Sequence, residues 1–429
     1  MDILVSFLVL FLLLFLGMPI AYAMGLIGTL GIAWRIGLAP ALSSVGTTAS
    51  DTVLSYDFAV LPLFILMGNL IAGSGISREL YLAANAWLGH FRGGLAMATV
   101  VACAAFSAVC GSSLATAGTM AKVAVPPMRK FGYADSLAAG SVAAGGTLGV
   151  MIPPSIPMVF YGIMTQTDIG SMFIAGILPG LLGAALYCTA VAAATRLRPS
   201  LGPAAPKAPF LARVQALRGT YGMLALFALV IGGIYGGLFT PTEAAAIGAL
   251  GGLSLALVRR NLSRHELTEI FISSAKMSVM MMAILVGALI FSTYINTTAL
   301  PQQVAEWVNS LNVTPILVIF VIVIIYIFLG CIMEALSMML LTVPVFYPVV
   351  AALGYDLIWF GILVITVLEI GLITPPIGLN VFVLRAVLPD IPMKAIFRGV
   401  LPFILADFVR VALLIAFPII SLFLPSMMH

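Results

Sequence analysis

Apolar positions in this chain come in long blocks, not in the alternation that marks a half-buried strand. Blocks at 3–33, 58–73, 134–167, 172–195, 221–238, 241–258, 277–297, 357–385 and 400–424 reach or approach the ~20 residues that carry a helix across a bilayer. The alternating segments that build membrane barrels are absent. Helices, which satisfy their backbone hydrogen bonds internally, are therefore the expected spanning elements. Two further apolar segments, 94–130 and 313–352, are interrupted near their middle. The first breaks at Ser107-Ala-Val-Cys-Gly-Ser-Ser113 and the second at Gly330-Cys-Ile-Met-Glu334. Each predicts a re-entrant helical hairpin, entering the membrane and returning on the same side.

Composition agrees with this reading. Of 429 residues, 62% are hydrophobic and 8% charged, against about 25% charged in a soluble domain. A surface so poor in charge has to face lipid, and the expected class is all-α integral membrane. Asp2 and the lack of a basic segment before the first block favour a retained first helix over a cleaved signal. Cys103, Cys110, Cys188 and Cys331 show no CxxC spacing and point to neither a disulfide framework nor zinc.

Basic residues set the orientation, because Lys and Arg resist translocation. With a cytoplasmic N-terminus and two returning hairpins, the cytoplasmic side holds Arg78, Arg92, Lys122, Arg129 and Lys130, then Arg196, Arg198, Lys207, Arg213 and Arg218. It also holds Arg259, Arg260, Arg264 and Lys276, then Arg385, Lys394 and Arg398, in all 17 of the 19 basic residues. Arg35 falls outside and Arg410 within the last helix. The segment 196–220, basic, Pro-rich and without acidic residues, is the one linker. Its charge is a topology signal rather than a nucleic-acid site.

The chain also resembles itself. Gly149-Val-Met-Ile-Pro-Pro154 matches Gly371-Leu-Ile-Thr-Pro-Pro376 at an offset of 222, as Gly132-Tyr133 matches Gly354-Tyr355 and Pro19 matches Pro241. Val125-Pro126 matches Val343-Pro344 at 218, with a four-residue gap. Five crossings separate Pro19 from Pro241, an odd number, so the halves are expected to be inverted. Inverted repeats with interrupted helices are the architecture of secondary transporters, whose sites lie between the halves. The expected organisation is a first repeat at 1–195 (hairpin 94–130, broken helix 134–167) and the linker 196–220. A second repeat follows at 221–429 (hairpin 313–352, broken helix 357–385).

The breaks are where chemistry is expected. Proline removes a donor and frees carbonyls of the preceding turn, which within a membrane have to face protein, water or an ion. Carbonyls of unwound helix suit a small hard cation such as sodium, and half-helix N-termini suit an anion. The plainer reading is that Pro-Pro and Gly only kink helices for packing; two symmetric breaks, each paired with a hairpin tip, weigh against it. Glu334, Glu369 and Glu243 lie in apolar surroundings, where acids are functional candidates by default. Glu334, at a tip, is the foremost, whereas Glu243 and Glu369 have the alternative of bonding neighbouring backbone groups. Asp407 and Arg410, three apart, predict an internal ion pair. For substrate, Thr297 belongs to a polar helix end with Ser292, Thr293, Asn296 and Thr298. Ser112, Ser113 and Ser155 flank the first break and Asn380 the second. Hydroxyls at such depth also bond their own helix backbone. No GxxxxGK[ST] loop and no HExxH motif occurs, which argues against a P-loop ATPase or a metallohydrolase. The 22 Met read mostly as lipid-facing or packing residues.

Cys110-Gly-Ser-Ser113, Gly149-Val-Met-Ile-Pro-Pro-Ser155, Phe239-Thr-Pro-Thr-Glu-Ala-Ala-Ala246 and Leu368-Glu-Ile-Gly-Leu-Ile-Thr-Pro-Pro-Ile-Gly-Leu-Asn380 together resemble the large membrane subunit of TRAP transporters, the DctM-like family. The resemblance implies a bacterial inner-membrane permease of elevator type, with no cofactor and no catalytic residue. It implies sodium as coupling ion and no transition metal. The implied partners are a small four-helix membrane subunit and a soluble periplasmic binding protein that delivers an organic acid, for example a C4-dicarboxylate, sugar acid, sialic acid or sulfonate. It places one sodium at Ser107, Cys110, Gly149, Ile152 and Pro154, and another at Gly330, Met333, Gly371, Thr374 and Ile377. Glu334 falls at a position commonly acidic in the family and near substrate. Cys110 stands where a serine is frequent, which matters little if its carbonyl is the ligand. The rival readings are a stand-alone sodium/carboxylate symporter, a scaffold subunit of a membrane enzyme and an ion channel. The inverted repeat weighs against the scaffold, and the lack of a repeated filter against the channel.

Overall fold

The computed structural model describes residues 3–259, 262–310 and 313–428; Asp2 and Arg260, used above, lie outside the described residues. The described residues form helices and turns without a sheet. The sequence predicts one crossing at 3–33, but the structure divides it into α1 (Ile3–Phe15) and α2 (Ile20–Ile36). Gly17 takes φ +85° and Pro19 stands at the N-cap of α2, so the ladder ends where proline has no N–H to continue it. α3 (Leu38–Leu54), rich in Ser and Thr, occupies what the hydropathy pattern leaves as a connection.

Then come α4 (Val60–Gly73), α5 (Ile76–Leu88), α6 (Gly94–Cys110), α7 (Ser113–Lys130) and α8 (Asp135–Thr147). A 3-10 turn at Leu148–Val150 leads through Pro153-Pro154 to α9 (Ile156–Thr165), followed by α10 (Ile169–Leu197). The linker carries α11 (Phe210–Ala216) and is docked rather than free: Gly93 and Ala134 donate N–H bonds to the Gly202 and Leu201 carbonyls, each at 3.0 Å. The second half contains α12 (Tyr221–Tyr235), α13 (Pro241–Arg259), α14 (Arg264–Thr297), α15 (Leu300–Ser310), α16 (Pro315–Gly330) and α17 (Ala335–Ala352). It ends with α18 (Leu357–Ile373), α19 (Leu379–Val387), α20 (Met393–Ala416) and α21 (Ile419–Leu422). Among the described residues, 6 helices are long and apolar enough to cross a membrane, or up to 7 if the bent pair at 210–235 is one span.

The order α6–α7–α8–break–α9 recurs as α16–α17–α18–break–α19, and both Pro-Pro bonds, 153–154 and 375–376, are cis. Small residues set the closest helix contacts, as in membrane bundles generally. α2 and α14 cross so that a Cβ on Gly28 would lie 2.9 Å from the Phe291 backbone. α8 and α20 meet at Gly140 and Gly399, where a Cβ on Gly399 would collide with the Ser136 carbonyl. Arg129, ending α7, bonds Asp135 at the start of α8 (2.7 Å) and also Asp390 before α20. The hydrogen bond from Arg129 holds the Asp390 carboxyl below the usual carboxylate range.

Candidate functional site

Both Pro-Pro breaks follow from backbone chemistry. Pro153 and Pro154 cannot donate to the carbonyls four residues back, Gly149 and Val150; Pro375 and Pro376 likewise leave Gly371 and Leu372 without those donors. The Val150 carbonyl is taken by the Ser155 hydroxyl at 2.5 Å, whereas Gly371 accepts only a long bond of 3.4 Å from the Thr374 N–H.

The tip of each helix pair packs on its own break. At the first, Gly111 turns the chain with φ +62°, and a Cβ there would come within 2.9 Å of the Pro154 carbonyl oxygen. A Cβ on Gly149 would lie 3.1 Å from the Ser112 carbonyl. Ser107 is fully buried, and its hydroxyl finds no hydrogen-bond partner among the described residues. Cys110 ends α6 with its carbonyl against Gly68 of α4, and Ile152 packs on Gly180 of α10. Ser107, Cys110, Gly149 and Pro154 therefore lie on the two sides of one tip–break contact. The orphan Ser107 hydroxyl lies one turn before Gly111, where the tip meets the Pro154 carbonyl, and hydroxyl and carbonyl oxygens are the ligands that hard cations take.

At the second tip, a Cβ on Gly371 would lie 2.7 Å from the Gly330 carbonyl carbon and oxygen. Met333 closes the turn after α16, its N–H bonded to Leu329 at 2.8 Å. The Thr374 hydroxyl is spent on the Ile370 carbonyl (2.6 Å), leaving its own carbonyl beside Gly378. Ile377 is half-buried beyond the prolines.

A cavity of about 390 Å³ opens between the tips. Gly111–Ala115 and Glu334–Leu336 line it from the two tips, Val150, Ile156 and Pro157 from the first break, and Leu372 and Leu379 from the second. Ser112 caps α7, accepting the Ala115 N–H at 3.4 Å, and Glu334 caps α17, accepting the Ser337 N–H and hydroxyl at 3.0 and 3.1 Å. The other substrate candidates lie elsewhere. Ser155 is buried on its own break and Asn380 bonds the Ala143 carbonyl at 3.0 Å. Thr297, bonded to the Tyr294 carbonyl, stands 13 residues beyond Ile284, the nearest α14 residue on the cavity, or roughly 20 Å along the helix. The remaining wall is Met277, Met280, Met281 and Ile284 of α14. Three of the methionines read as packing residues thus face the cavity, and their only signal is a spacing that puts 277, 280 and 281 on one helix face.

The expected Asp407–Arg410 pair forms at 2.8 Å with both side chains fully buried. Glu369 joins it through Arg410 Nη2 instead of bonding its own backbone. Glu243 does bond locally, accepting the Thr240 N–H and hydroxyl at 2.8 and 3.0 Å.

The family described as "Tripartite ATP-independent periplasmic transporter, DctM component" matches residues 7–420. The chain belongs to this family. It is 38% identical over 377 residues, 88% of each chain, to the C4-dicarboxylate TRAP transporter large permease protein DctM of Pseudomonas aeruginosa. It is 32% identical to the sialic acid TRAP transporter large permease protein SiaM of Vibrio cholerae, covering 97% of this chain and 96% of that one. Among solved structures, the YdaH transporter of Alcanivorax borkumensis shares the fold, with TM-score 0.63, 16% identity and 90% and 89% of the two chains covered. This DctM-type chain is accordingly the large transmembrane subunit of a TRAP transporter, a multi-pass protein of the inner membrane and not an enzyme.

Proposed function

We propose that the chain takes up an organic acid by sodium symport, receiving it from a periplasmic binding protein and working beside a small membrane subunit. The observation that carries this reading is the convergence of both tips, with the Pro-Pro breaks behind them, on one cavity. Sodium enters at Ser107, Cys110, Gly149, Ile152 and Pro154, and at Gly330, Met333, Gly371, Thr374 and Ile377, bound mostly by carbonyls. The acid lies between Ser112 and Glu334, its carboxylate toward the first-turn N–H groups of α7, where the helix dipole favours negative charge. Among the described residues Glu334 is the one charged side chain lining this cavity, so the two sodium ions offset both its charge and the substrate's. The helix pairs α6–α7 and α16–α17 act as re-entrant hairpins of two inverted halves and travel as an elevator, with the N-terminus cytoplasmic. Relatives that carry C4-dicarboxylates and sialic acid support an organic acid as the substrate class.

Radiolabelled organic-acid uptake into proteoliposomes holding this chain and its small subunit tests the reading. Uptake is expected only with an inward sodium gradient and the cognate binding protein. Sodium-driven uptake without the binding protein makes the chain a stand-alone symporter, and uptake indifferent to sodium overturns the coupling.

A further inference from the structure

A chain of buried polar side chains links the two breaks. Thr147 ends α8, two residues before Gly149. Its hydroxyl lies 3.2 Å from the Tyr187 hydroxyl of α10, which donates to Asp407 Oδ2 of α20 at 2.6 Å. Asp407 pairs with Arg410 at 2.8 Å, and Arg410 with Glu369 of α18, two residues before Gly371. All five side-chain carriers are fully buried. Arg410 also lies over the Tyr187 ring, 6.0 Å from its centroid, with Nη1 pressed against Gly183 of α10. No other charged side chain enters from the packed elements α9, α16 and α21, which contain none. Arg385 of α19 is turned to the Pro389 and Ile391 carbonyls, and Asp135 of α8 to Arg129.

One member has several settings. Tyr187 donates to Asp407, so its oxygen is left to accept from Thr147. The Thr147 proton has further acceptors in the Ala144 carbonyl at 2.7 Å and in the Glu369 carboxylate. A cation that orders the turn after Thr147 would select one of these settings, and the network passes that choice to the last turn of α18. In a medium of low dielectric such networks act as units, and a first ligand that orders shared structure lowers the ordering cost of the second.

We propose that Thr147, Tyr187, Asp407, Arg410 and Glu369 are positioning residues that couple the two cation sites, so that sodium at one break raises affinity at the other. The inference rests on the two-site reading given under Proposed function. Coupling of this kind is typically 5- to 150-fold.

The test is equilibrium sodium titration, by calorimetry, of the purified chain with its small subunit in nanodiscs, repeated for Tyr187→Phe and Thr147→Val. Both substitutions keep shape while deleting one hydroxyl. Wild type is expected to bind with a Hill coefficient above one. Each variant is expected to fall toward one, with half-saturating sodium raised about 3- to 10-fold, while still unfolding in a single transition, at a lower temperature for Tyr187→Phe because the buried Asp407 carboxylate loses a donor. The double variant should match the singles, because both cut the same link. Non-cooperative wild-type binding, or variants that fold and keep wild-type cooperativity, overturns the coupling alone. No sodium binding by folded wild type overturns the two-site reading itself.

Discussion

Ser107 carries the argument at the scale of one residue. A hydroxyl buried without a partner among the described residues leaves its desolvation uncompensated, and Ser107 lies one turn before Gly111, where the tip meets the Pro154 carbonyl. On the proposed reading a sodium ion is what the hydroxyl oxygen bonds. Ser107→Ala is therefore expected to raise half-saturating sodium for uptake about 5-fold while leaving thermal stability near wild type. An unchanged sodium dependence would remove Ser107 from the site. Asp407 and Arg410 show how far a single residue can be read in advance. Their spacing of three already made an ion pair the natural expectation, and the pair formed. Glu369 and Tyr187, the other partners, stand 41 and 220 residues away, and no local pattern joins them. Only the packing of α10, α18 and α20 does so. The cavity methionines were hidden for another reason, since the spacing that puts Met277, Met280 and Met281 on one helix face does not say whether that face meets lipid or a cavity.

Among elements, punctuation was legible and amphipathicity was not. Gly111, Glu334 and the two Pro-Pro pairs interrupt apolar runs with residues whose backbone chemistry ends a helix, and the helix boundaries fall there. α3 and α15 lack a long apolar run, so a hydropathy reading passes over them. Packing between elements yields its own expectations. Gly399→Ala drives a Cβ into the Ser136 carbonyl at the α8–α20 crossing. An overpacked contact of this kind costs about 1–3 kcal/mol, to be seen as a lowered melting temperature in nanodiscs. The Arg129–Asp390 bridge behaves differently. The folded-state pKa of Asp390 is depressed, so its contribution is present above the unfolded pKa and fades as pH falls through the folded one. The gap in melting temperature between wild type and Asp390→Asn should thus be constant from neutral pH to about pH 5 and close only below the ordinary carboxylate range. A gap that closes nearer neutrality would mean that Asp390 is not held by Arg129.

For the whole molecule, the self-resemblance at an offset of 222 told most, because it paired the two Pro-Pro breaks before any contact was known. The convergence of those tips on a common cavity was not legible, since it depends on how α7, α14 and α17 meet in space. Family membership now makes the chain a TRAP permease, and the central claim is that sodium sits at both tip–break contacts. A high-resolution structure of the chain with its small subunit, solved in sodium and again in choline, tests this most directly. Cation density is expected in sodium between Ser107, Gly149 and Pro154 and between Gly330, Gly371 and Thr374, and none there in choline. Breaks that look the same in both conditions, with sodium bound elsewhere or nowhere, would contradict it.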